Sequence, residues 1–190
     1  MVLDRKESIV SAANQAFAAF GYKATTMDTV ARIANVGKGT IYTFFKNKEE
    51  LFSEIMDRFI HSVEGIASRA SNQADNFTSR LHQTLYGVLE FRKAHQLTIK
   101  LTQEIKEVGT VQAQQALARV EDAILALLEQ MIGDAVARKE IHCCDAKVTA
   151  FVVLHLYIAL VFDWEQRHPP LSSAEIADLF ELYLIQGLRD

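Results

Sequence analysis

The two prolines of this 190-residue chain stand side by side, Pro169-Pro170, near its end. Proline removes an amide donor and clashes with the preceding helical turn. The long stretch before the pair is free of that breaker, and the chain has only eight glycines. Apolar residues recur at 3–4 spacing along most of it and make up 49% of the composition, enough for a real core. The fold class these features predict is all-α, with nine helices at about 4–20, 26–33, 38–44, 48–70, 75–94, 96–107, 110–139, 145–167 and 173–188. No repeat or low-complexity tract interrupts them.

Several function classes are set aside early. The most apolar run, "AFVVLHLYIALVF" at 150–162, holds about 13 residues and a histidine, where a membrane span needs roughly 20. "MVLDRKESIV" lacks a signal-peptide apolar region, so a cytoplasmic protein without membrane association is expected. Neighbouring Cys143 and Cys144 are poorly placed to bridge each other and read as free thiols, which leaves redox sensing open. The run "HCCD" at 142–145 carries metal-capable side chains, but adjacent cysteines seldom hold one ion. No metal or cofactor site is expected, and no nucleophile–base set or carboxylate pair suggests catalysis.

Charge is unevenly distributed. The net charge is −4, yet residues 1–50 carry seven Lys/Arg against five Asp/Glu. Within 23–48, Lys23, Arg32, Lys38, Lys46 and Lys48 face Asp28 alone. A basic patch on an acidic chain suits a phosphate backbone.

That patch surrounds "RIANVGKGTIYTFFKNKEE", 32–50. Gly21 reads as the stop of the first helix, whose apolar stripe is Ile9, Ala13, Ala16, Phe17 and Phe20. Thr25, with Asp28 three residues on, reads as the N-cap of the second helix. Met27, Val30, Ala31 and Ala34 lie on one face of that helix. Asn35 tolerates the left-handed conformation of a sharp stop, and Gly37 can cap the next helix. Ile41, Phe44 and Phe45 would anchor this short third helix inward. Lys38, Gly39, Thr40, Tyr42 and Thr43 would then face out. A helix, a tight turn and a short helix with a polar outer face form a helix-turn-helix that enters the major groove. Lys46 and Lys48 flank the next helix start, where first-turn amides can also hold a phosphate.

With these residues in view, "TTMDTVARIANVGKGTIYTFFKNKEEL", 25–51, resembles the TetR family of bacterial transcriptional regulators. Ala34-Asn35-Val36 stands where the family has Ala-Gly-Val, and Gly37 where it has Ser. The resemblance implies an N-terminal helix-turn-helix domain (1–47, motif about 26–45) and a C-terminal helical ligand-binding and dimerisation domain (48–190). It implies a homodimer on palindromic double-stranded DNA, typically a repressor. Carried over by position, Thr26, Tyr42 and Lys48 look like phosphate contacts, with Lys38, Gly39, Thr40 and Thr43 toward bases or groove.

The eighth helix is apolar almost all round, which predicts burial on every side. With the ninth, apolar at 3–4 spacing, it suggests a four-helix interface with a second copy. Val152, Leu156, Leu160, Leu179, Tyr183 and Leu184 are its candidate residues. Helices five, seven and eight offer more bulky side chains than a plain bundle needs. Tyr86, Leu89, Phe91, Leu101, Leu128, Phe151, His155 and Ile158 are candidate pocket residues, with Arg92, Thr98, Gln103, Glu104 and Arg119 as polar ends. Such walls favour an acyl chain, acyl thioester or lipophilic drug. The alternative is a DNA-bound protein-interaction factor without an inducer.

Overall fold

The computed structural model describes residues 2–73, 76–94 and 96–186. Nine α-helices occur among them and no strand: α1 (Val2–Ala24), α2 (Met27–Ala34), α3 (Lys38–Tyr42), α4 (Lys48–Gln73), α5 (Phe77–Ala94), α6 (Gln96–Val108), α7 (Val111–Ala137), α8 (Ala146–Ile158) and α9 (Ser173–Phe180). Helix termini match the sequence expectation to within a few residues at most ends. The exceptions are α8 and α9, which give way to single π-helical turns at Ala159–Asp163 and Glu181–Ile185. A π turn takes in one extra residue and rotates the side chains beyond it.

The chain forms two compact units, each built from two separate stretches of sequence. One unit comprises Met1–Ser62 with Phe91–Glu121; the other comprises Val63–Glu90 with Asp122–Asp190. The boundary therefore passes through α4, α5 and α7.

In the first unit, α1 packs on α6 and α2, and α2 packs on α3. Ile9, Ala13, Ala16 and Phe17 of α1 are fully buried with Ile41, Leu51, Met56 and Leu101. Phe17 and Tyr22 both set their rings against Phe52, at 4.9 and 4.8 Å between centroids. Aromatic burial of this kind dominates the stability of a small core. Phe20 departs from the predicted stripe and is 49% exposed, because the chain turns away at the next residue.

The second unit has its own core of Phe77, Leu81, Leu85, Leu128, Ile132, Val153, Tyr157, Ile176 and Phe180. The Arg80 guanidinium is buried there and pairs with Glu140 at 2.8 Å. Glu140 also accepts from the Phe77 backbone N–H at 2.6 Å, closing the start of α5. Asp145 caps α8, its carboxylate accepting from the Lys147 and Val148 amides. Gly87 lies so close to Ile66 that a Cβ would meet Ile66 Cγ2 at 2.5 Å, so here the helical glycine serves close packing.

One expectation for α8 is corrected. It is not enclosed on every side: Val153, Leu154 and Tyr157 are buried, but Val148, Phe151 and Val152 are 58%, 51% and 45% exposed. All-round apolarity is satisfied here by one core face and one bare face.

Candidate nucleic-acid interface

The turn between α2 and α3 is built from local signals. Thr26 starts α2: its Oγ1 accepts from the Thr29 amide at 3.1 Å. Thr25, expected in that role, is instead fully buried and donates its hydroxyl to the carbonyls of Ala16 and Gly21. It closes the end of α1 rather than the start of α2. Asn35 adopts the left-handed conformation (φ 53, ψ 46), and Val36 N–H returns to the Ala31 carbonyl at 3.0 Å, as in a Schellman stop. Gly37 then occupies the N-cap of α3.

Ile41 is fully buried and Phe45 nearly so, which pins α3 by one face. Its other face is open. Tyr42 is 47% exposed and the Lys38 side chain 49%, Gly39 and Thr43 are exposed, and Thr40 is half-buried. A Cβ on Gly39 would meet nothing within 4 Å, so the chain's own packing does not require a glycine there. Lys38 Nζ donates to Asp28 Oδ2 at 2.8 Å, tying α3 to α2 and holding the ammonium pKa above its ordinary value. The Thr43 hydroxyl donates to the Thr40 carbonyl, which leaves its oxygen lone pairs outward. Lys23, Arg32 and Lys46 are also exposed.

The start of α4 differs from a bare anion site. Asn47 Oδ1 accepts from the Glu50 amide at 2.8 Å, and Glu50 accepts from the Lys46 amide at 2.6 Å, in the manner of a capping box. Lys48 does not reach freely outward. Its ammonium donates to the carbonyls of Tyr22 (2.9 Å) and Thr25 (3.1 Å) and lies 4.2 Å from the centre of the Tyr22 ring. The Tyr22 hydroxyl donates to Glu49 at 2.8 Å. Burial, then this bond, push the tyrosine pKa far up; the same bond pulls that of Glu49 down.

Behind this stands a residue that sequence reading placed only as a possible pocket end. Glu104 of α6 is 7% exposed and accepts from the backbone amides of Tyr22 (2.6 Å) and Lys23 (3.0 Å). Those amides are freed because Gly21 leaves the helix with φ 79 and ψ 177, a region essentially restricted to glycine. A carboxylate from another helix thus finishes α1, and Tyr22 and Thr25 pass the constraint to Lys48 and α4.

The candidate pocket residues are distributed over both units. Leu101 is in the core of the first unit, and Phe91 lies in that unit with its ring 4.9 Å from that of Phe59. Leu128 is in the core of the second. Tyr86 and Phe151 are 40% and 51% exposed on the single chain. His155 and Ile158 are half-buried, with the imidazole stacked on Phe151 and its Nδ1 3.0 Å from the Phe151 carbonyl. Thr98 is buried; Gln103 is exposed; Arg119 is exposed and pairs with Asp57. The side chains of Leu89 and Arg92 lie outside the described residues, as do residues 187 and 188 at the expected end of the ninth helix. Of the six candidate interface residues, Val152 and Tyr183 are 45% and 68% exposed, and Leu156, Leu160, Leu179 and Leu184 are half-buried. Both cysteines are free. Among the described residues no helix is long and apolar enough to cross a membrane.

The fold and the exposed face of α3 define a helix-turn-helix DNA-binding protein. Residues 9–55 match the family model described as "Bacterial regulatory proteins, tetR family", and residues 74–188 match "Tetracyclin repressor-like, C-terminal domain". A Bacillus subtilis protein, the uncharacterized HTH-type transcriptional regulator YhgD, is 51% identical over 99% of this chain and 98% of its own length. Two solved structures share the fold. The regulator FadR of Bacillus subtilis, in complex with stearoyl-CoA, is 22% identical with a TM-score of 0.69, covering 96% of this chain and 99% of its own. AibR, in complex with isovaleryl coenzyme A and operator DNA, is also 22% identical, with a TM-score of 0.62 and coverage of 94% and 97%. The chain belongs to the TetR family: it is a DNA-binding transcriptional regulator, not an enzyme.

Proposed function

We propose that this regulator is a cytoplasmic homodimeric repressor that leaves a palindromic operator when a hydrophobic small molecule binds. The observation that carries the reading is the bare apolar face of Val148, Phe151 and Val152 on α8, with Leu182 and Tyr183 54% and 68% exposed after α9. Exposed apolar surface of this kind marks an association site. An isologous pairing through it gives two copies of α3, each for one half-site about one helical turn (roughly 34 Å) apart. In this reading Lys38, Gly39, Thr40 and Thr43 meet bases or groove, and Thr26, Tyr42 and Lys46 meet phosphate. Lys48 serves chiefly by fixing Tyr22 and Thr25.

Among ligands, an acyl thioester ranks above a lipophilic drug, because FadR and AibR share the fold and were solved with acyl-CoA molecules. A ligand can shift the DNA equilibrium only by its differential affinity for the two states, typically 1–3 kcal/mol. The second reading, a DNA-bound interaction factor without an inducer, is favoured by the tightness of one site in the second unit. The hollow lined by Thr78, Leu81, His82, Tyr157 and Phe180 has only about 30 Å³.

The test uses an operator selected from random duplexes. Sedimentation is expected to give a dimer, DNA affinity to fall with salt on a log–log line, and stearoyl-CoA or isovaleryl-CoA to release the DNA. A monomer at micromolar concentration would remove the repressor geometry. Insensitivity to both thioesters would favour the inducer-free reading.

A further inference from the structure

A second hollow lies wholly within the unit that carries the helix-turn-helix. It has a volume of about 200 Å³ between α1, α4 and the residues around the start of α6. Val10, Ile55, Phe59, Phe91 and Leu97 provide its apolar lining. Val10, Ile55, Phe59 and Leu97 are each no more than 6% exposed, so the floor is packed structure, while Glu7, Ser11 and Ser62 at the mouth are exposed.

Its polar rim has two parts. Arg58 of α4 reaches Glu7 of α1 through two bonds at 2.5 and 2.8 Å, and Glu54 at 2.8 Å; Lys6 adds a bridge to Glu54 at 3.4 Å. Two cations thus face two carboxylates, and the group is neutral as a whole. An added anion would have to displace Glu7 from the guanidinium and would still face Glu54. An added cation would have to displace Arg58. Beside this pair stand Ser11 and Asn14, neither of which forms a hydrogen bond among the described residues. Asn14 is half-buried, and its amide offers donors and an acceptor at the edge of an apolar floor.

We propose that this hollow binds a small neutral amphiphile: an apolar body carrying one hydroxyl, amine or amide that bonds to Asn14. The volume sets the size, for drug-sized ligands occupy roughly 300–1,000 Å³. The balanced ion pairs set the charge, and the unpartnered amide sets the polar end. The site is separate from any acyl-thioester site and does not depend on one. A ligand here touches both α1 and α4, the helices on either side of α2 and α3 in the sequence, so its occupancy bears on DNA affinity directly.

The probe is N-phenyl-1-naphthylamine, neutral and aromatic with a single N–H, titrated by fluorescence into the full-length protein. Saturable one-to-one binding is expected. Asn14→Leu, which keeps the bulk and removes the amide, should weaken it by roughly fivefold, the loss of one net hydrogen bond. Ser62→Phe at the rim should block it. Hydrogen exchange of the wild-type protein supplies an arm independent of variant folding: the probe should slow exchange in segments 8–14 and 55–62. No saturable binding, equal binding by wild type and a folded Asn14→Leu variant, or protection confined to other segments would each overturn the assignment.

Discussion

Gly21→Ala tests how the DNA-binding helices are held. Gly21 sits at φ 79, ψ 177, and an added Cβ would lie 2.2 Å from Glu104 Oε2. Two costs combine: backbone strain of about 1–3 kcal/mol for a non-glycine in this region, and displacement of Glu104 from two amides, one of them buried, at about 1–3 kcal/mol. A destabilisation of about 2–6 kcal/mol is expected. Glu104→Ala removes the second part and leaves the Tyr22 and Lys23 amides without their carboxylate. In Gly21→Ala/Glu104→Ala the clash is gone, so the double variant should lose less than the sum of the singles, with a coupling of about 1–2 kcal/mol. Because the chain has two compact units, a single global unfolding transition is not assumed. Hydrogen exchange at Tyr22 and Lys23 is therefore read beside the urea titration. A Gly21→Ala variant within about 0.5 kcal/mol of wild type, in the range of ordinary surface changes, or strictly additive costs, would refute the argument.

Three further outcomes follow from the same geometry. Thr26→Ala removes the α2 cap and should cost about 1 kcal/mol in urea unfolding, whereas Thr25→Ser, which keeps the hydroxyl, should retain its bonds to Ala16 and Gly21. Asn35→Ala should destabilise by about 1–2 kcal/mol, and Asn35→Gly far less, because only the former resists the left-handed conformation. Hydrogen bonds from Arg58 hold Glu7 and Glu54 below their ordinary carboxylate pKa values. Their contribution is complete above the unfolded carboxylate value of about 4.3 and is lost as pH falls through it toward the folded values. The urea midpoint should therefore drop between pH 5 and pH 3, and Arg58→Met should flatten that drop.

The helix-turn-helix was legible because its signals are local. Asn35, Gly37 and the spacing of Val30, Ala31 and Ile41 each act within one turn, and each behaves as its chemistry dictates. What was not legible depends on partners far along the chain. Thr25 and Thr26 are the same residue type, and only the Ala16 and Gly21 carbonyls decide which one caps which helix. Glu104 finishes α1 from 82 residues away, and no pattern around it points there. Lys48 reads from the sequence as a phosphate contact, and nothing local shows that Tyr22 and Thr25 supply carbonyls to its ammonium. In α8 the apolar count was right, yet periodicity says nothing about whether a greasy face meets its own chain. Bulky residues on neighbouring helices carry no signal of which core they join: Leu101 belongs to one and Leu128 to the other.

The most direct measurement compares duplex affinity, on a selected operator and across salt, for wild type, Lys38→Ala and Tyr42→Ala. Both side chains are about half exposed, and Lys38 gives up only its exposed pair with Asp28, so folding should change by no more than about 1 kcal/mol. The account predicts that each variant loses affinity by about 1–3 kcal/mol, and that any phosphate contact removed makes the salt slope shallower by about one. Undiminished affinity with an unchanged slope in both would contradict the placement of α3 against DNA.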